Sequence, residues 1–396
     1  FMTSRWLGLP IFLVIMALVF FLTFTVGDWL KGYFETGLDL LTGAVSSGLE
    51  AAGTSPMLNS LLVDGIISGV GGILTFLPNI FILFLALAFL EDSGYMSRVA
   101  FVMDDIMSHL GLSGRAFLPM LLGFGCTVPA VMASRALEHK KDRLKTILVT
   151  PFMSCSARLT IYVLFSSMFF GKYAMIACYS IYLIGIVIAI LTAYILSRID
   201  GSKAEHALLI ELPEYKSPNA RTIALYVWEK VKDYLTKAGT VIFLASVIMW
   251  VLLNFGPTGY VTNIGESFGS IVGKAIVPLF KPIGLGYWQI VVALIAGIAQ
   301  KEVVVSSCSV LFGIQNITTA HGMNSFVSLL GGMGFGAANA YALMIFCLLY
   351  VPCTATIATI RREVGSTKLT AGIVLFQLAV AWVASFIAFH IAGLIL

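Results

Sequence analysis

The stretch GFGCTVPAV, residues 123–131, sits inside an apolar run long enough to cross a membrane. Two glycines, a cysteine, a threonine and a proline fall between Gly123 and Pro129, where a plain membrane helix carries leucines. Glycine and proline weaken a helix. Non-helical backbone at membrane depth is tolerated only where it is buried in protein or lines a cavity. The loops on either side decide what the interruption is for.

The chain has 396 residues, 59% hydrophobic and 11% charged, and a mean hydropathy of +0.96. A soluble domain carries about 25% charged residues, and a membrane helix needs roughly 20 predominantly apolar ones. The composition therefore describes an integral membrane protein. The net charge of +4 comes from clustered Lys and Arg, a pattern of membrane orientation rather than of a nucleic-acid surface. The six cysteines form no C-x-x-C pair, which excludes a zinc ribbon, and no G-x-x-x-x-G-K-[ST] loop is present. The opening FMTSRWLGLPIF reads as a retained first helix, since its apolar run is too long for a signal-peptide core.

Spans are expected near 6–27, 75–90, 116–134, 146–168, 173–197, 238–254, 288–312, 338–360 and 369–395. RALEHKKDRLK (135–145), RREVGSTK (361–368) and the Lys- and Arg-bearing stretch 198–237 belong on the cytoplasmic side. Residues 28–64, with Asp28, Glu35, Asp39, Glu50 and Asp64 against Lys31, belong outside, as does the Lys- and Arg-free stretch 313–337. If 116–134 crossed once, the basic 135–145 loop would emerge outside. The segment is therefore expected to enter and turn back at GFGCTVP, a re-entrant hairpin. The same conflict makes 288–312 a second hairpin, broken near GIAQKEVVV (297–305). The alternative, an extra span at 268–283, is opposed by Lys274, Pro278, Lys281 and Pro282.

The two hairpin segments resemble each other: GLSGRAFLPMLLGFGCTVPAV (111–131) lies over GLGYWQIVVALIAGIAQKEVVV (284–305). Each is followed by a broken helix, at SCSARLTIY (154–162) and PCTATIATI (352–360). The topology turns one copy over relative to the other. Inverted repeats with discontinuous helices mark secondary transporters, whose site lies near the midplane. Chance likeness between apolar segments is the competing explanation.

Charges at bilayer depth cost about 2.5–3.5 kcal/mol on insertion scales and need a partner or a wet cavity. Lys301 and Glu302 in the second break either pair with other buried charges or meet substrate, and Gln300 precedes them. Arg158 is expected to brace backbone carbonyls or an acidic group. Glu91 and Asp92 end a span, where acidic residues are also ordinary. Cys178, Cys308 and Cys347 read as small apolar fillers. Cys126, Cys155 and Cys353 fall at expected breaks, beside the hydroxyls of Thr127, Ser154, Ser156 and Thr354. Sulfurs at such a place suit Fe, Zn or Cu(I) rather than Mg or Ca, with an organic substrate as the alternative.

GFGCTVPAVMASR, PFMSCSARLTIY, LEDSGYMSRVAFVMDDIMSHLGLSGRAFLP, the QKEVVV run and the stretch 211–243 resemble the membrane domain of the FeoB family of bacterial ferrous iron transporters. The resemblance implies an all-α polytopic membrane protein of two inverted gate-type repeats, each with a re-entrant hairpin and a broken helix. It divides the chain into a first helix and external segment (1–64), gate repeat 1 (65–200), a cytoplasmic interfacial linker (201–237) and gate repeat 2 (238–396). It implies Fe(II) as the transported substrate in a bacterial inner membrane, with Cys126 and Cys155, and by likeness Cys353, on the iron path. Family members usually carry a GTP-binding domain before the first helix. GTP and Mg2+ would therefore act only through a G domain, in cis or in trans, with small cytoplasmic accessory proteins as further partners. The chain itself is then a transporter domain, not an enzyme. No nucleic-acid partner is expected, and a homo-oligomer stays open. A nucleoside or other organic solute carrier on the same scaffold is the alternative function.

Overall fold

The computed structural model describes residues 8–51, 53–200, 216–257, 259–261, 264–314 and 320–395. The basic start of the chain at Arg5 and residues 201–215 of the expected linker lie outside the described residues. Among the described residues the regular structure is helical apart from a two-residue antiparallel pair, β1 (Phe255–Gly256) with β2 (Gly259–Tyr260).

Helix α1 (Gly8–Ala51) buries Phe12, Met16, Val19, Thr23 and Gly27, one stripe at helical spacing, against α3. Leu13, Val14, Leu18 and Phe21 face outward. At about 1.5 Å per residue, a helix of 44 residues runs some 66 Å, roughly twice the ~30 Å hydrocarbon core. The external segment expected after residue 27 is thus largely helical up to Ala51. Beyond Gly27 the packing thins rather than stops: no described residue from 28 to 51 is fully buried, yet Asp28 Oδ1 accepts from Asn79 Nδ2 at 2.9 Å and Ser46 Oγ from Asn59 Nδ2 at 3.4 Å.

After the short α2 (Pro56–Ser60), α3 (Ser68–Asp92) meets α4 (Tyr95–His109) at 84°. Gly94, with φ 78°, makes the corner. The segment 116–134 contains α5 (Phe117–Leu122) and α6 (Thr127–Ala133), separated by Gly123–Cys126. Neither piece reaches the length of a span. Then come α7 (Lys140–Val149), α8 (Ser156–Phe170) and α9 (Ala174–Asp200). The basic 135–145 stretch is only partly loop, because Lys140, Lys141 and Arg143 already belong to α7. Asn219 caps the amphipathic α10 (Ala220–Asp233), which leads to α11 (Gly239–Asn254).

In the second half α12 (Phe268–Phe280) is followed by α13 (Trp288–Ala299). Residues Phe268–Ile283 and Trp288–Ala299 meet at 102°. A break at 300–302 separates α13 from α14 (Val303–Leu311), and α15 (Ala320–Gly332) follows. Next come α16 (Ala337–Leu349) and α17 (Thr354–Val364), divided at 350–353, and α18 (Thr367–Ile395). The basic RREVGSTK stretch is a helix end. Arg361 and Arg362 sit in the last turn of α17, where cations suit the dipole, and Gly365 turns the chain at φ 71°. Among the described residues, four helical stretches can cross a membrane by length and composition, or up to six if each bent pair is one span. One of the four, Lys140–Ile199, contains two of the expected spans.

Two compact units result: 1–150 with 190–247, and 151–189 with 248–396. They do not follow the sequence repeats, since α8 and most of α9 pack with second-half elements. In the second unit α16 is buried all round, from Ala342 to Leu349, and packs on α8 and α18. Thr370, Ile373, Gln377, Ala381 and Ser385 form the buried stripe of α18, and Leu369, Leu375, Val383 and Ile387 are exposed.

Candidate functional site

Three chain breaks of the second unit meet: residues 151–155, 300–302 and 350–353. Pro151 and Pro352 remove backbone donors at the first and third, and Pro352 holds Val351 out of the helical region. The second has neither Gly nor Pro. There Gln300 turns extended (φ −144°, ψ 134°) and Lys301 leaves the helix path.

Helix ends leave carbonyls without intrahelical partners. Buried cations satisfy them. Arg158, 1% exposed, donates from Nη1 to Pro151 O at 2.8 Å and to Met153 O at 3.4 Å. Its Nη2 reaches Tyr350 O at 3.5 Å. Lys301, 4% exposed, donates Nζ to Val351 O, and Nζ stands 3.3 Å from the centroid of the Tyr350 ring. Thr354 Oγ1 donates to Ala299 O at 3.3 Å, joining the second break to the third. Arg158 thus braces carbonyls, one of the two roles its sequence position suggested. Lys301 also binds a carbonyl, and among the described residues no carboxylate pairs with it.

Cys126, Cys155 and Cys353 occupy one structural position. Each is the residue before the first turn of a helix, with extended backbone, at the start of α6, α8 and α17 respectively. Their carbonyls accept from Ala130 N, Arg158 N and Ile357 N at 3.3, 3.1 and 3.1 Å. All three are half-buried, whereas Cys308 and Cys347 are buried. Cys353 Sγ lies 3.2 Å from Thr356 Oγ1, and Cys178 Sγ lies 3.0 Å from Ser166 Oγ. Cys155 and Cys353 belong to the second unit with Ser154, Ser156, Arg158, Gln300, Lys301, Glu302 and Thr354; Cys126 and Thr127 belong to the first. Lys301 lies within electrostatic range of Arg158, Cys347, Cys353 and Cys155. Among the described residues of either unit, no three His, Cys, Asp or Glu side chains form a set that could hold a metal ion.

Glu91 and Asp92, in the first unit, tie α10 to the end of α3. Asp92 Oδ2 accepts from Asn219 N at 2.7 Å, and Glu91 is hydrogen-bonded to Tyr226. Burial first, and then the Glu91 carboxylate, push the Tyr226 hydroxyl above its ordinary range. Ile223, Val227 and Val231 form the buried face of α10, and Leu225 and Trp228 are exposed.

Sequence reasoning missed Tyr350, the platform under Lys301, and Tyr162, whose hydroxyl lies 3.4 Å from Ser154 Oγ. The first had a visible signal, an aromatic two residues before the proline of a break (YVPCT).

The family model described as "Gate: Nucleoside recognition" matches residues 73–169 and 235–367, and "Ferrous iron transport protein B C terminus" matches 178–230. The chain belongs to the gate family, among FeoB-type membrane proteins. The "Fe(2+) transporter FeoB" of Staphylococcus aureus (strain MSSA476) is 42% identical over 99% of the chain and 58% of the relative. That of Methanocaldococcus jannaschii is 38% identical over 100% and 58%. A Porphyromonas gingivalis "Fe(2+) transport protein A/Fe(2+) transporter FeoB fusion protein" is 34% identical over 98% and 50%. The chain thus spans 50–58% of the length of these relatives. No solved structure matches it.

Proposed function

We propose that this chain is the membrane part of a ferrous iron transporter, and that Fe2+ passes the helix breaks that carry Cys126, Cys155 and Cys353. One observation carries the reading: three half-buried cysteines share the position just before a helix that restarts after a break. A thiolate suits a borderline metal, and a restarting helix favours negative charge at its first turn. The cysteines act as stations that an ion passes, not as a resident cage, in keeping with the lack of a three-ligand cluster among the described residues. The relatives' names support iron as the substrate.

The inverted-repeat reading belongs to this proposal. Each half runs through an oblique helix and a broken pair to a broken helix: α4, α5/α6, α7/α8, and α12, α13/α14, α16/α17. Segments 116–134 and 288–312 are the re-entrant hairpins, and the midplane site lies between the repeats. GTP and Mg2+ would act through a G domain, in cis or in trans. The fusion relative suggests a small accessory partner, and the bacterial inner membrane is the proposed location. The chain itself carries transport, not catalysis. The test is Fe2+ entry into proteoliposomes. Entry that persists unchanged in the triple Cys126→Ser, Cys155→Ser, Cys353→Ser variant would sink the sulfur stations. A nucleoside carrier, suggested by the gate model's description, would instead move labelled nucleoside.

A further inference from the structure

We propose that the Lys301 ammonium is a tethered occupant of a cation site, formed by the Val351 carbonyl and the Tyr350 ring, which a transported metal ion takes over when Lys301 withdraws. The proposal rests on reading the breaks of the second unit as part of an ion path.

Lys301 is buried, and its partners are one carbonyl oxygen and one aromatic face. Neither group is specific to an ammonium. Both attract cations in general. The carbonyl follows the end of α16, where the dipole is negative and backbone oxygens lack helix partners. Discontinuous helices of transporters present such carbonyls to cations, and here a side chain of the same chain already fills the place. A second oxygen stands by: Tyr350 Oη is buried with no hydrogen-bond partner among the described residues. Gly297 leaves it room, since a Cβ there would come within 2.6 Å of that oxygen.

Arg158 marks the contrast. Its planar fork holds carbonyls of two breaks at once, and it lies inside the first turn of α8. That is a brace. Lys301 has a compact head on a flexible stem, and it springs from a three-residue break between α13 and α14. Withdrawal would free the oxygens and remove a positive charge that repels an arriving cation. A purely structural cap predicts only lost stability when Lys301 is changed. A tethered occupant predicts gained ion binding.

The test uses Mn2+, which takes carbonyl and water ligands and does not oxidise readily, with the chain in nanodiscs. Bound Mn2+ is counted by electron paramagnetic resonance. Lys301→Gln keeps a donor for Val351 O but loses the charge, and it should bind Mn2+ at least ~10-fold more tightly than wild type. Lys301→Arg should not. Adding Tyr350→Leu to Lys301→Gln should cancel the gain. In the wild type, saturating Mn2+ should increase acylation of Lys301 by a water-soluble amine reagent, read by mass spectrometry. Unchanged Mn2+ affinity in Lys301→Gln, or unchanged Lys301 labelling in the wild type, overturns the proposal. Fe2+ entry by the wild type is measured alongside. Entry without a gain in Lys301→Gln refutes the occupant alone, and a gain without entry refutes the path.

Discussion

Removing the Arg158 guanidinium should loosen the junction of two breaks. In Arg158→Met, Pro151 O loses a charged hydrogen bond of 2.8 Å, and Met153 O and Tyr350 O lose long contacts of 3.4 and 3.5 Å. A buried acceptor left unpaired costs about 1–3 kcal/mol. The first loss counts in full, and the other two add roughly 1 kcal/mol together, given their length. The side chain is 1% exposed, so its removal also returns part of the desolvation cost of a buried charge. The net expectation, after that return, is a loss of about 1–3 kcal/mol. Arg158→Lys keeps the charge but offers a point donor rather than a fork, so it retains at most one carbonyl and falls between. Equilibrium unfolding in mixed micelles measures the loss. Maleimide labelling of Cys155, three residues away, should quicken as the junction opens. A Met variant within about 0.5 kcal/mol of wild type, with unchanged labelling, would refute the bracing role.

Two further outcomes are expected. Gly297→Ala places a methyl group against Val304 and within 2.6 Å of Tyr350 Oη. Such overpacking costs about 1–3 kcal/mol, and it should show in the same unfolding assay. The Tyr226 hydroxyl is held above its ordinary value of 10.0 by burial and Glu91. As pH rises past 10, the undocked helix loses this proton before the docked one does, so docking of α10 weakens. Hydrogen exchange of α10 should therefore accelerate above pH 10 in wild type and stay flatter in Tyr226→Phe; identical profiles would remove Tyr226 from the contact.

The breaks were legible in the sequence because each carries its own cause. Gly123, Gly125 and Pro129 weaken one helix, Pro151 and Pro352 interrupt two others, and Gln300-Lys301-Glu302 is a polar island in an apolar run. The continuation of α1 was not legible. Asp28, Glu35, Asp39 and Glu50 read as a polar external loop. Yet offsets of 7, 11 and 22 residues, at about 100° each, place the four within roughly 60° of one helix face. Acidic residues so spaced leave the helix intact. The basic stretch 135–145 misled in the same way, since charge density marks a water-facing segment, not the absence of a helix. Within the site, the importance of Arg158 and Lys301 followed from the cost of burying charge. Their partners did not, because Tyr350 and Val351 lie 192 and 50 residues away from Arg158 and Lys301 respectively. The tie from Asp92 to Asn219 spans 127 residues, and no local pattern announces it.

The most direct measurement is initial Fe2+ entry into proteoliposomes, comparing wild type with Cys126→Ser, Cys155→Ser and Cys353→Ser singly and together. Cys308→Ala serves as a control, because Cys308 is a buried packing residue. The sulfur stations predict at least a ~10-fold loss for the triple variant, partial losses for each single one, and wild-type entry for Cys308→Ala. Wild-type Fe2+ entry in the folded triple variant would contradict the account.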